Sequence, residues 1–559
     1  MKKRKLMSML AVLLTVSCIA GCGSTSKQEA SKESASTSKE TGSTTAESKE
    51  EATTEAASSY QTTYGSKQFD NVTIKVELFD RSNAPDGSTL TDNRWVNYVN
   101  EEMGKVGINV EFVGVPRSDE ITKMQSMMAS GTAPDLVFTY TYAYAGDYYE
   151  QGGTWDLSEF VDGDGQAENL KAFLGEEVLN IGRNLDGTLY GITAKRANTA
   201  LTNLYLRKDW LDALNLSVPT TPDELYDMID KMTAADLDGT KPIGFEYTSS
   251  LTARRNNLFM AFSQLAGDDK QMDISCRYDY YYDPGYREYV RFLNKLYNHG
   301  LMDQEYYTVS TETMNSDYVN GKVAFAEQNV NYMTSKVNYL NLMATLQENV
   351  PGAEYVSIPA LKNVNDGQQY SESYSLGGMI LFCPKTADAE TVEACMTYLD
   401  WLCTKEGGYV LYHGMEGEHY KLNENNVPVV IDSDYNSTDK DWIRNDLCLT
   451  FNGGYFENDE QFMECMAAEN PEFSEYVIEN YKNALSGKVI ADTTYESPSA
   501  AKLNTDLNML KNEWSVKCIT CSEAEFDAQY DEWMKAAEDA GIQTIIEERT
   551  EYYNQLYAE

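Results

Sequence analysis

The sequence predicts an α/β fold, on three observations. From residue 71 onwards, short apolar runs of strand length alternate with amphipathic stretches of helical period. The 559 residues are 42% hydrophobic and 11% aromatic, enough for a large buried core rather than a disordered chain. No internal repeat and no long linker interrupts the body, so the pattern fits two α/β halves exchanging chain segments better than beads on a string. Roughly 500 residues at about 150 per domain set a soft prior of two to four compact units.

In NVTIKVELFD, Asn71–Asp80, the residues Val72, Ile74, Val76 and Leu78 alternate on one face, the period of a strand. A helix follows from about Asp92 to Met103, carried by Trp95, Val96, Val99 and Met103. Gly107–Val113 reads as a second strand. Ser118 caps another helix, with Ile121, Met124 and Met128 on its apolar face, closed by Ser130-Gly131. Ala133–Phe138 is a third strand. Strand–helix–strand–helix–strand in about seventy residues argues a parallel sheet with helices on its faces. Ligands in such sheets sit at the carboxyl ends of the strands, which puts Thr139, Tyr140 and Tyr142 at a binding edge. Leu204–Leu214 reads as a strand running into a helix. Thr221-Pro222-Asp223-Glu224 is a capping box with Pro at the first helical position, continued by Leu225, Ile229 and Met232. Further strands are expected at Lys322–Ala326 and Gly378–Phe382, and helices at Ala389–Cys403 and over most of 500–557.

Lys and Arg number 45 against 88 Asp and Glu, a net charge of −43. So acidic a body repels phosphate backbones and anionic headgroups, which argues against nucleic acid and against a basic membrane-binding face. The opening residues read as an address. Lys2–Lys5 form a positive n-region, and the apolar run Leu6–Ala20 is too short to span a bilayer. Ile19-Ala20-Gly21-Cys22 resembles a bacterial lipobox. Residues 1–21 would then be a lipoprotein signal peptide. Cys22 would be diacylated on the outer face of the cytoplasmic membrane, where two acyl chains, at about 0.8 kcal/mol per buried methylene, suffice as an anchor. Gly23–Ser59 holds no aromatic or branched aliphatic residue, so residues 22–59 are expected to be a disordered tether. Of the remaining cysteines, Cys383, Cys395 and Cys403 fall in apolar runs and read as small core residues. Cys518-Ile-Thr-Cys521 suits a local bridge rather than a metal.

Enzyme motifs are absent: no GxSxG, no HExxH and no Walker-type phosphate loop. With 88 carboxylates, some pair could always be drawn as a glycosidase acid and nucleophile, so pairing alone carries no information. A surface glycoside hydrolase is therefore the alternative rather than the first reading. The positive signal is aromatic. Tyr outnumbers Phe 40 to 17, with clusters at Tyr140–Tyr149, Tyr280–Tyr286 and Tyr370/Tyr374. A flat apolar face with a polar tip suits sugar rings with one C–H face and a hydroxyl rim. Asp236-Leu-Asp238-Gly239-Thr240 has the alternating oxygens of a shortened calcium loop, but Lys241-Pro242-Ile243 follow where a late acidic ligand is needed. An ordinary Asp-Gly turn is the better reading, and no cofactor is expected.

Several motifs together are recognisable. Ser130-Gly-Thr-Ala-Pro-Asp-Leu-Val, LYLRKDWLDALNLSVPTTPDELYDMIDKM over 204–232, Asp186-Gly-Thr-Leu-Tyr-Gly-Ile, Gly321-Lys-Val-Ala-Phe and Gly414-Met-Glu-Gly-Glu-His-Tyr420 stand in the right order. The chain resembles the extracellular solute-binding proteins (family 1) of carbohydrate-importing ABC transporters, in their large lipoprotein subgroup of the LipO-like type. The resemblance runs over most of 70–557. It implies a two-lobed periplasmic-binding-protein-like fold with hinge crossovers, closing over an oligosaccharide that passes to ABC-transporter permease subunits. By analogy the N-terminal lobe is 60–202 plus about 355–415, and the C-terminal lobe about 203–354 plus 416–559. A monomer is expected, reaching the membrane through its lipid anchor alone. Strand-end logic and analogy select Trp95, Tyr140, Tyr142, Trp155, Arg196, Asn329, Tyr374 and Trp442 as ligand-binding residues. Trp155 and Trp442 would be stacking platforms, Arg196 and Asn329 hydrogen-bond donors. The acidic body favours neutral oligosaccharides, although Arg196, Arg254 and Arg255 could reverse the charge locally. Short peptides are a second ligand class, and presentation to a surface sensor kinase a second non-enzymatic role.

Overall fold

The computed structural model describes residues 67–557, apart from 238, 240, 247–255, 335, 338–339, 494 and 496. The lipobox, Cys22, the tether, Asp238, Thr240, Arg254 and Arg255 lie outside the described residues.

Two sheets organise the body. Beside the first stands a separate two-stranded pair, β1 (Val72–Asp80) and β2 (Ile108–Pro116), parallel along their whole length. Between them the helix Arg94–Gly104 is capped by Asn93, whose Oδ1 accepts from the N–H of Trp95 and Val96 at 3.0 Å. The next helix, Glu120–Ser130, ends at Gly131 in the left-handed region, φ +67°, where glycine has no Cβ to clash. It leads to β3 (Val137–Thr139), linked to β1 by a parallel bridge at Val76–Leu136. After β4 (Ile192–Arg196) the chain enters the second sheet with β5 (Thr202–Arg207), β6 (Ile243–Glu246) and β7 (Val323–Asn329). The short pair β8 (Lys336–Val337) and β9 (Leu340–Asn341) precedes β10 (Tyr355–Ile358). The second sheet has the order β10-β5-β7-β6, with β5 antiparallel to both neighbours and β6 parallel to β7.

The chain returns through β11 (Tyr370–Ser373) to β12 (Gly377–Phe382), which inserts antiparallel between β3 and β4. Beyond the hairpin β13 (Tyr420–Leu422) and β14 (Pro428–Val430), β15 (Phe451–Asn452) joins β4 in parallel. Finally β16 (Lys488–Ala491) pairs in parallel with β11, before the helices Ala500–Thr520, Phe526–Asp539 and Ile542–Leu556.

Each sheet has its own core. The first gathers Ile74, Val76, Trp95, Val99, Leu136, Leu381, Trp401 and Trp442; the second gathers Leu206, Trp210, Phe245, Tyr286, Trp533 and Ile545. Burying an aliphatic or aromatic side chain of this size contributes about 1.5–3 kcal/mol. The crossing points differ from those expected. Tyr355–Ile358 was assigned to the first lobe, yet it pairs with β5 of the second sheet. Trp442, Ile443, Leu447 and Phe451 were assigned to the second lobe, yet they pack into the first core. A four-residue strand carries no mark of the sheet edge it joins, which is why boundaries drawn by analogy slipped here. The strand pattern of β1 was also incomplete: Glu77 and Phe79, on the face opposite Val76 and Leu78, are buried as well.

All eight described cysteines are free thiols. Cys383, Cys395 and Cys403 are buried in the first core, as their apolar surroundings suggested. Cys518 and Cys521 form no bridge; the Cys521 thiol donates to the Cys518 carbonyl at 3.2 Å. No helix among the described residues is long and apolar enough to cross a membrane.

Candidate functional site

The antiparallel insertion of β12 decides where the site lies. Its register puts the start of β12 beside the carboxyl end of β4, with Gly377 opposite Lys195, while Ile380 faces Thr139 at the end of β3. The chain leaving β3 therefore delivers Tyr140 and Tyr142, and the end of β4 delivers Arg196, to one edge of the sheet. Gly377 and Gly378 make this approach possible. A Cβ on Gly377 would meet the Tyr142 hydroxyl at 2.8 Å and Thr193 Cγ2 at 2.7 Å, and one on Gly378 would meet Asn452 Cβ at 2.9 Å. The Tyr142 hydroxyl donates to the Gly378 carbonyl at 3.0 Å, and Arg196 Nε donates to the Gly377 carbonyl at 3.0 Å. Arg196 also lies over the Tyr374 ring, its Cζ 4.5 Å from the centroid. Asn452 Nδ2 donates to the Tyr140 hydroxyl at 2.9 Å, and Arg117 sits 5.1 Å from the Tyr140 ring centre. Burial pushes both phenols up, Tyr142 to about 12, so both are neutral hydroxyls at physiological pH.

These side chains line a cavity of about 180 Å³ whose opposite wall is Arg277, Asp492 and Thr493, from the second body. Arg277 stands between the helices Asp269–Ser275 and Asp279–Tyr282 with φ +67°, a conformation that costs an L-residue about 1–2 kcal/mol. Its Nε lies 4.0 Å from Asp492 Oδ2, and the Cys276 thiol donates to the same carboxylate. Ser375, Asp492 and Thr493 also border a second, adjoining cavity of about 590 Å³. Its walls are the end of the helix Glu168–Ile181 and the following loop on one side, and the C-terminal helix on the other. There Tyr495 and Tyr552 stack at 3.7 Å, with 6° between ring planes. The buried Arg549 guanidinium donates to the carbonyls of Tyr495, at 2.7 Å, and Ile274, at 2.9 Å, fixing that wall.

The structure thus brings together Tyr140, Tyr142, Arg196 and Tyr374 of the eight residues expected from sequence. The other four lie elsewhere. Trp95 is 1% exposed in the first core, its indole N–H donating to the Asp439 carbonyl at 3.0 Å. Trp442 is 9% exposed and donates to the same carbonyl at 3.2 Å. The platform expected of Trp442 needs an open ring face, and that face is packed in the core. Trp155 bonds to the Cys383 and Ala387 carbonyls past the far end of β12, and Lys385 covers its ring at 3.6 Å. Six residues of strand, about 20 Å, separate it from Gly377. Asn329 is exposed at the end of β7, opposite Thr202, and is not among the residues lining either cavity. The Tyr280/Tyr286 cluster is also core, with Tyr280 stacked on Trp533 at 5.5 Å. Sequence reasoning missed Arg277, Asp492, Thr493, Tyr495 and Tyr552. All five lie on segments remote in sequence from β3; the fold brings Arg277, Asp492 and Thr493 to the cavity at its edge, and Tyr495 and Tyr552 to the larger one. Asp236 caps the helix Pro222–Ala235 at φ +41°, and its carboxylate accepts the Lys241 N–H at 3.1 Å; Asp238 and Thr240 lie outside the described residues.

With this geometry in hand, the comparisons with known proteins decide the family. A family profile described as "Bacterial extracellular solute-binding protein" matches residues 97–415, more than half of the chain. The chain belongs to that family. Its members are binding proteins rather than enzymes. The polygalacturonan/rhamnogalacturonan-binding protein YtcQ of Bacillus subtilis is 21% identical over 459 residues, covering 80% of this chain and 86% of the relative. Lipoprotein LipO of the same organism is 22% identical over 57% of this chain and 62% of its own length. Among solved structures, an HMO-binding, ABC-transporter-associated solute-binding protein from Bifidobacterium longum infantis superposes with a TM-score of 0.64. It is 15% identical and covers 88% of this chain and 100% of its own. An alginate-binding protein reaches 0.58 at 17% identity, covering 87% and 98%. At these identities the structural likeness establishes the fold: α/β and two-lobed, like the solute-binding proteins it matches.

Proposed function

We propose that this protein captures an oligosaccharide in the cleft between its two sheets and delivers it to the permease of an ABC transporter. The lobes would be 67–196 with 377–452, and 202–358 with 459–557, following the sheets and cores. Anchoring at the outer face of the cytoplasmic membrane through a diacylated Cys22, with 22–59 as tether, completes the reading. The observation that carries it is the cleft lining: neutral tyrosine hydroxyls and fixed guanidiniums at the carboxyl edge of one sheet, faced by polar groups from the other body. Such a surface offers ring faces to C–H patches and donors to hydroxyls. The names of the relatives, which bind polygalacturonan, alginate or HMO, point the same way.

The hydrolase alternative is weakened by the smaller cavity. Asp492 is the single carboxylate among its lining residues, whereas a retaining glycosidase needs two about 5 Å apart; the adjoining cavity adds Glu177 and Asp273 to its own lining. Calorimetric titration against neutral and acidic oligosaccharides, with product analysis afterwards, tests the proposal. Saturable binding of intact sugar supports it. Cleaved sugar would restore the hydrolase, and heat from short peptides alone would move the ligand to that class. Binding should also bring the lobes together about the segments 197–201 and 373–376. A scattering profile unchanged by saturating sugar would contradict that closure.

A further inference from the structure

We propose that Arg117 positions the ring of Tyr140 for the oligosaccharide, and that two buried carboxyls behind it, Glu120 and Glu77, set how firmly it does so. This rests on the oligosaccharide reading above and adds a control by pH. Arg117 itself is not among the residues lining either cavity.

Tyr140 follows β3 and is 37% exposed at the cavity edge. Its ring lies 21° from parallel with that of the buried Phe79 on β1, the centroids 6.4 Å apart. The Arg117 guanidinium meets both rings, its Cζ 4.7 Å from the Phe79 centroid and 5.1 Å from that of Tyr140. A cation over an aromatic face is held by the ring quadrupole, so Arg117 couples the exposed ring to the buried one. Arg117 Nη1 in turn donates to the buried Glu120 carboxylate at 2.8 Å. Glu77, fully buried on β1, accepts the N–H of Phe138 at 3.2 Å, two residues before Tyr140. The remaining oxygens, Glu77 Oε1 and Glu120 Oε1, are both buried with no hydrogen-bond partner among the described residues. One proton satisfies both: Glu77 carries it and donates to Glu120.

Burial first, and then the charge of Glu120, raise Glu77 to about 8. Below that pH, Glu120 alone shares Arg117 with the ring. Above it, two buried carboxylates draw on one guanidinium and pull it off Tyr140. The other charged groups facing Tyr140 are tied elsewhere: Arg81 and Asp446 to each other through two 2.7 Å bonds, and Arg196 to the Gly377 carbonyl at 3.0 Å.

The test follows the Tyr140 ring by NMR in the full chain carrying 13C-labelled tyrosine, its signal assigned by Tyr140→Phe, from pH ~6 to ~9. Maltotetraose and trigalacturonate, neither of which changes charge over that range, are titrated at both ends. The ring signal should step near pH ~8 without sugar, and sugar binding should weaken at least ~3-fold across the step. Glu77→Gln keeps a donor for Glu120 but cannot ionise, and should abolish the step. Arg117→Gln should abolish it too and weaken sugar binding ~5-fold, with Arg117→Lys recovering part of the loss. Arg117 lies on a half-exposed turn, so its variants carry the test even where Glu77→Gln fails to fold. Glu246 and Lys511 are also brought to about 8 by burial, so a step that survives the substitutions belongs to them and overturns the proposal. A flat ring signal with sugar bound equally at both ends overturns it and leaves the oligosaccharide reading standing. A step lost in the variants, with neither sugar bound, supports the hold of Arg117 on Tyr140 and counts against the oligosaccharide reading alone.

Discussion

Two groups of aromatic residues show what a position in the fold adds to a residue type. Trp95 and Trp442 share the carbonyl of Asp439 as acceptor and lie buried in the first core. Tyr140, Tyr142 and Tyr374 have similar apolar area, yet they line a cavity at the sheet edge. Residue type suits both sets to sugar stacking; the difference is where the strands end. The tyrosines follow β3 or precede β12 at the one edge where strand termini from both directions meet, and the tryptophans lie on segments that cover the sheet.

The sharpest way to break this comparison is to truncate one member of each group. Trp95→Ala should lower unfolding free energy by roughly 3–5 kcal/mol, the usual cost of an aromatic lost from a core, with ligand affinity of the folded protein unchanged. Urea denaturation and titration measure the two. A stable Trp95→Ala protein with lost affinity would reverse the assignment.

Buried carboxyls extend the comparison to the two cores. Glu77 on β1 and Glu246 on β6 are each pushed up to about 8, by burial first, then by nearby acids: Glu120 for Glu77, and Asp317 and Asp303 for Glu246. Between the unfolded value near 4.5 and about 8, each holds its proton in the folded protein while the unfolded chain has released it. Their stabilising effect is thus complete below pH ~4.5 and is lost as pH rises towards 8, at ~1.4 kcal/mol per unit. Glu77→Gln and Glu246→Gln should each flatten the fall of Tm between pH 5 and 8. Parallel curves for wild type and variants would show the carboxyls to be ionised throughout.

In the cleft the expected effects are smaller. Tyr374→Ala removes the ring that holds Arg196 and should weaken sugar binding about tenfold, ~1.4 kcal/mol, with stability changed by less than that. Trp155→Ala should leave affinity within about twofold, because its ring lies at the far end of β12. A larger loss there would mean that the ligand extends round the sheet.

How much of this was legible in the sequence depends on whether the signal was local. The helices Arg94–Gly104 and Pro222–Ala235 were read from caps and apolar spacing, and Asn93 and Thr221 do cap them. The family was legible because several motifs stood in order, and the placing of Tyr140 and Tyr142 at a sheet edge was legible because strand-end position is itself local. Tyr355–Ile358 went to the wrong sheet because pairing partners are non-local, and Arg277 was missed because nothing around it marks a site. Trp442 was misread because burial depends on what the rest of the chain lays over a ring.

Hydrogen exchange with and without saturating oligosaccharide tests the location of the site most directly. The account predicts added protection at 140–142, 196–199, 374–378 and 491–493, from both bodies at once. Protection confined to the segments around Trp95 and Trp442, with those four unchanged, would contradict it.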